Sequence, residues 1–225
     1  RQYTKWMSAV TSYQYRLPCN AEWEYACRAG AATPYHFGAA EDHLGEYAWY
    51  FDNADDHPQH VGLKKPNRWG LHDMHGNVWE WVIDEFLTDG YRRFGGKSLT
   101  VADSIVWPAR AYPLVVRGGS WEEDPPACRS ASRLGSHDVD WKQEDPNLPL
   151  SPWWFTSDPS RGVGFRVVRS LADLPRPTMV RYWDARVQDV KEDVQNRLDE
   201  GRGALGLVDP ALPAAIRSLT PPGGK

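Results

Sequence analysis

Between residues 31 and 170 the chain has no helical period. Short apolar runs alternate with clusters of Gly, Pro, Asp and Asn, and none carries the 3.6-residue stripe of an amphipathic helix. A stretch of that length without helical spacing must be short strands joined by long loops. Such loops are held down by bulky side chains, and twelve Trp, ten Tyr and six Phe supply them. With 41% apolar residues, a chain of 225 residues has ample material for a buried core.

The edges of this region read differently. Residues 1–15 have the pattern of a helix running into a turn. Residues 20–29 (NAEWEYACRA) predict a second helix, with Asn20 as N-cap, Glu22 and Glu24 at its positive end, and Gly30 as the stop. Trp23, Ala26 and Cys27 lie three and four residues apart and face the core. Inside the irregular region, VWEWV (78–82) predicts a strand with Trp79 and Trp81 on one face and Glu80 on the other. LVVRGGSW (114–121) and GVGFRVVRS (162–170) predict two more strands that pair with each other. The Pro-rich stretch 136–161, with Trp141, Trp153, Trp154 and Phe155, is too long for a routine connector and reads as a binding loop or one pinned by its own rings.

After residue 170 the composition shifts. PRP (175–177) predicts a linker, and residues 178–200 regain a helical stripe of Val187, Val190, Val194 and Leu198 that Gly201 terminates. Two regions follow: 1–170 as the body, and 171–225 as linker, docking helix and frayed tail. Eight basic and eight acidic residues cancel in 171–225, so the body carries the whole net charge of −4. No basic run tracks phosphates, which excludes nucleic acid as a partner, and no apolar stretch approaches the roughly 20 residues of a membrane span. Three cysteines at irregular spacing, Cys19, Cys27 and Cys128, contain no Cys-x-x-Cys pair and read as buried free thiols. They leave the compartment open, with a lean to an extracytoplasmic setting.

Three stretches invite chemistry. DNADDHPQH (52–60) fails as a calcium loop, because His57 and Leu63 stand where an EF-hand needs Gly and Glu. In HDMHGNVWEW (72–81), Asp73, the backbone at Gly76 and Val78, and Glu80 can converge on a hard cation, or form a plain β-turn with Asn77 left-handed. In RGGSWEEDPPACRSASR (117–133), Ser120 has no nearby His to activate it, whereas Cys128 beside Arg129 is the candidate for a reactive thiol. Arg129, Arg133 and Arg166 can equally be structural partners of Glu22, Glu24 or Glu80.

Five ordered blocks carry a resemblance. RLPCNAEWEYACRAG (16–30), NRWGLHDMHGNVWEW (67–81), VVRGGSW (115–121), CRSASR (128–133) and GVGFRVVR (162–169) resemble the formylglycine-generating enzyme, or sulfatase-modifying factor, family over about residues 5–170. The resemblance implies an α+β, C-type-lectin-like fold, largely irregular with short antiparallel strands, to which 171–225 adds a helical extension. It implies structural Ca²⁺ at Asp73, Gly76, Val78 and Glu80, and further chain upstream, from a longer product or a second polypeptide. In the oxidases of this family, two cysteines after R-G-G-S hold Cu(I). Counted from Ser120, the first position is Glu123 and the second Cys128; counted back from RSASR, Cys128 matches neither. Copper is therefore not expected. The expected function is a binding or accessory module for a peptide, protein or small molecule, with Ser120, Trp121, Glu123, Trp153 and Trp154 at the contact surface. The alternative is an oxidoreductase of altered chemistry.

Overall fold

Cys19, not Asn20, opens the helix of the RLP block. In a computed structural model describing residues 1–136, 162–201, 204–207 and 209–219, the Cys19 thiol accepts a hydrogen bond from the Glu22 amide at 3.4 Å. The Glu22 carboxylate in turn accepts from the Cys19 amide at 2.9 Å. This reciprocal box places Asn20 inside the helix as its first residue. The helix stops one residue earlier than expected, at Ala29, which is itself left-handed with φ of 45°.

By contacts the chain divides into two units, Pro18–Arg166 and a second that combines Arg1–Leu17 with Val167–Lys225. The boundary at 166/167 lies close to the compositional shift near 170, and the first seventeen residues group with the carboxy-terminal part. The second unit contains α1 (Gln2–Thr11), β1 (Tyr15–Arg16), β6 (Val168–Arg169), α5 (Arg176–Trp183), α6 (Gln188–Asp199) and α7 (Leu212–Leu219). β1 and β6 pair antiparallel, Tyr15 against Arg169. The Trp183 indole donates to the Tyr15 carbonyl at 2.8 Å, and the Arg16 guanidinium lies 4.6 Å over the Tyr182 ring. The PRP segment is not a linker: Pro175 is the N-cap of α5 and Pro177 lies in its first turn, where a missing amide costs nothing. The expected helix over 178–200 is two helices, separated at Asp184–Val187.

The larger unit holds α2 (Asn20–Arg28), α3 (Leu44–Tyr47), α4 (Val101–Ser104) and a four-stranded sheet. The strands are β2 (Trp79–Glu85), β3 (Leu114–Arg117), β4 (Arg133–Gly135) and β5 (Val163–Gly164), in the order β4-β3-β2-β5. The strands expected to pair, 114–121 and 162–170, do not: β2 lies between them, antiparallel to β3 and parallel to β5. β2 is covered on both sides, so Glu80 is buried like Trp79 although alternation puts the two on opposite faces. Trp23, Cys27, Met74, Val82 and Val115 form one core cluster; Tyr35, Leu44, Ala48 and Cys128 form another. Among the described residues, no helix is long and apolar enough to cross a membrane.

The end of β3 is anchored by charge. Arg117 is fully buried, donates to Glu24 at 2.7 Å and to the carbonyls of Ser130 and Ser132, and lies 5.1 Å over the Trp23 ring. Replacing it with Met strands two carbonyls and a carboxylate oxygen. Breaking a buried pair in this way costs about 3–5 kcal/mol, so Arg117→Met is expected to lower the urea unfolding midpoint sharply. Arg117→Lys, which lacks the planar fork, is expected to recover only part of the loss.

Candidate functional site

The loop beyond Arg117 is shaped by Gly119. Its φ is +78°, and a Cβ there would lie 2.7 Å from the Cys128 sulfur. The chain can close over Cys128 only because that atom is missing. Ser120 and Trp121 lie beneath the surface, with the Trp121 amide donating to the Asn77 carbonyl at 2.9 Å. Glu123, half-buried, accepts from the Trp79 indole at 3.1 Å, and its carbonyl accepts from the Phe51 amide at 3.2 Å. The loop then makes a short 3₁₀ turn, Pro125–Cys128.

Cys128 is fully buried against Tyr35, Leu44 and Ala48, with Phe37 and Tyr50 around them. Burial pushes its thiol far above the ordinary range, and Glu123 and Asp124 push it the same way. At neutral pH it is a protonated thiol, neither nucleophile nor soft metal ligand. Cys19 and Cys27 are also buried and free, each raised to about 12 chiefly by burial. Among the described residues, no three His, Cys, Asp or Glu side chains come together to hold a metal. Trp153 and Trp154 lie outside the described residues.

Behind this loop is a pair of histidines that the sequence did not single out. His75 donates from Nδ1 to the Cys128 carbonyl at 2.8 Å, which leaves Nε2 to accept from His36 Nδ1 at 2.8 Å. The rings stack at 4.9 Å, among Tyr35, Phe37 and Tyr47. One chain of hydrogen bonds thus joins the 35–38 turn, the 72–77 turn and the Cys128 loop. Desolvation lowers both imidazoles to about 4, with Arg68 adding to the effect on His36. The only sequence signal was a histidine inside each apolar turn.

The 72–80 turn is built by close approach. A Cβ at Gly76 would fall 2.2 Å from the Trp49 carbonyl, which instead accepts the Asn77 amide at 2.7 Å. Asn77 is left-handed with φ of 71°, and its side chain bonds both backbone groups of Gln59. Asp73 accepts from the Gly62 amide through Oδ2 at 2.7 Å, while its buried Oδ1 has no hydrogen-bond partner among the described residues. Glu80 is fully engaged. Oε2 accepts from the Trp23 indole at 2.7 Å and Arg166 Nε at 2.5 Å; Oε1 accepts from Arg166 Nη2 at 2.6 Å.

At the four positions that the resemblance assigned to calcium, both side chains thus already have protein partners. One of the two carboxylates is saturated, and a guanidinium stands against it. Of the arginines considered as structural, Arg166 has this role, whereas Arg129 is exposed and, among the described residues, bonds the Pro126 carbonyl. Arg133 lies over the Tyr91 ring at 4.9 Å. Arg117, the most buried of all, was missed; a lone charge ending the apolar run LVVR was the available signal.

Residues 1–144 match the model of a family described as the sulfatase-modifying factor enzyme 1-like domain. The formylglycine-generating enzyme of Mycobacterium tuberculosis is 33% identical over 129 residues, covering 50% of this chain and 42% of that protein. Serine/threonine-protein kinase pkn1 of Chlamydia pneumoniae is 36% identical over 118 residues, covering 52% of this chain and 18% of the kinase. The chain thus spans less than half the length of these curated relatives. Among solved structures, PvdO from Pseudomonas aeruginosa superposes with a TM-score of 0.55 at 33% identity, over 75% of this chain and 57% of that one.

The histidine pair makes stability depend on acid with a definite sign. Both folded values lie below the ordinary 6.5, so the unfolded chain binds protons first. Stability is whole above pH 6.5 and declines as pH falls toward 4, by about 3 kcal/mol if the coupled pair takes up a single proton. Urea midpoints measured from pH 7.5 to 4.5 are expected to show this fall, and replacing both imidazoles (His36→Phe with His75→Gln) is expected to flatten it above pH 5, where carboxylates contribute little; His36→Phe alone is expected to keep it, because burial by itself holds His75 low.

Proposed function

Because this chain belongs to the sulfatase-modifying factor enzyme 1-like family, we propose that it serves as a binding or accessory module on that scaffold, without copper-dependent generation of formylglycine. The observation that carries this reading is the state of the loop after Ser120. Cu(I) is soft and is held by paired thiolates. At the first position the loop presents Glu123, a hard oxygen donor already bonded to the Trp79 indole. Cys128 is sealed in an apolar cluster, where burial keeps the sulfur protonated. Neither residue can supply half of a dithiolate without rebuilding the loop.

Ser120 and Trp121, being buried, shape the floor under Glu123 rather than touch a ligand themselves. Glu123, with the exposed Glu122 and the exposed ring of Phe51, forms the accessible rim. That rim suits a basic peptide or protein segment carrying an apolar side chain. The likeness to part of a protein named as a kinase is in keeping with a module that accompanies other activities. The other reading is an oxidoreductase acting on a peptide or small molecule, favoured by the likeness to a protein named formylglycine-generating enzyme. It predicts a bound redox metal or a reactive thiol.

One assay tests the copper route. Incubated with a Cys-x-Pro-x-Arg peptide, Cu(I) and O₂, the protein is expected to yield no more formylglycine than its Cys128→Ala variant; turnover above that control sinks the proposal. In parallel, the native protein at pH 7 is expected to resist alkylation by iodoacetamide at all three cysteines and to label fully once denatured, with intact mass as the readout.

A further inference from the structure

We infer that the guanidinium of Arg166 supplies the positive charge at the 72–80 turn, in the place that the resemblance gave to a calcium ion. Arg166 holds both oxygens of Glu80 with Nε and Nη2, at 2.5 and 2.6 Å. Nη2 also reaches the carbonyls of His72 and Asp73, at 3.2 and 3.4 Å. A carboxylate bound through both oxygens, plus backbone carbonyls of one tight turn, is the donor set a hard cation would recruit. Here one planar side chain satisfies it from strand β5's far end, two residues beyond Gly164, the cross-strand neighbour of Glu80. The Trp23 indole fills the remaining approach to Oε2 at 2.7 Å.

Charge accounting sets the limits. Glu80 and Asp73 carry two negative charges against the single charge of Arg166. A calcium ion on the same oxygens would stand beside a guanidinium that cannot lose its proton, and like charges a few ångströms apart in a desolvated turn repel strongly. To bind Glu80 the ion must first displace a bidentate pair. Of the four carboxylate oxygens of Asp73 and Glu80, only Oδ1 of Asp73 is left for a cation, and with the carbonyls of Gly76 and Val78 it makes three oxygens where calcium takes six to eight. The turn is thus expected to hold its shape without metal, because its stitching to Trp49 and Gln59 is made of protein hydrogen bonds.

Thermal unfolding of the chain, dialysed against EGTA and then given CaCl₂, tests this directly. A structural calcium present at a hundred times its Kd would raise Tm by roughly 5–10 °C for a chain of this size. The expected result is no such rise, and no calcium at stoichiometric level in the purified protein by atomic emission. A rise of that size, or bound calcium that survives dialysis, overturns the inference. Arg166→Met, which leaves Glu80 with the Trp23 indole but without the guanidinium, is expected to unfold at lower temperature in EGTA and to regain Tm with CaCl₂. An Arg166→Met protein as stable as the parent and indifferent to calcium would also overturn it. Should that variant not fold, Arg166→Lys keeps the charge with fewer donors. It is expected to fold with a Tm below the parent's and no calcium response, and a calcium response there counts against the inference.

Discussion

Two arginines pinned against carboxylates organise the larger unit. Arg117 ties the end of β3 to α2 through Glu24 and to the 130–132 backbone; Arg166 ties the end of β5 to β2 and the 72–73 turn through Glu80. Both reach across the sheet to segments distant in sequence. In a body with short strands and long loops, few backbone ladders are available to fix those segments. A guanidinium with five donors in a rigid fork does the work of several ladder bonds. Burial opposes each charge. For Arg166 the Glu80 carboxylate outweighs burial and raises the group above its ordinary value, whereas for Arg117 burial prevails and lowers it.

The loop that follows Arg117 inherits its geometry from that anchor. Held at Ser130 and Ser132 on one side and at Asn77 through Trp121 on the other, it folds Cys128 inward. The histidine pair then receives the Cys128 carbonyl. The scaffold's functional loop is therefore structural at the position where a reactive sulfur would be needed, and its accessible chemistry lies in carboxylates and aromatic rings. The proposed binding role rests on that redistribution.

Much of the fold was legible. Helices at α1 and α2, irregularity from 31 onward and a strand at VWEWV follow from periodicity and turn residues, which are local properties. What misled was also local. Alternation set Glu80 opposite Trp79 and Trp81 without showing that both faces are covered, because period 2 says which side a residue points to but not whether water is there. Asn20 was expected as a cap because of its amide, yet the preceding thiol took the role through its partner Glu22. The pairing of 114–121 with 162–170 failed because order along the chain says nothing about a strand inserted between them.

By itself the sequence determined the family blocks and the absence of a second cysteine beside Cys128. These are properties of residue identity and spacing. Only the tertiary structure decided which carboxylate meets which arginine, that Cys128 turns away from solvent, and that Glu80 is held by Arg166. Each depends on residues far apart in the chain, 86 positions for Arg166 and Glu80, brought within hydrogen-bond distance by packing. A charge buried with its partner and a charge waiting for a ligand look the same in sequence; their surroundings alone tell them apart.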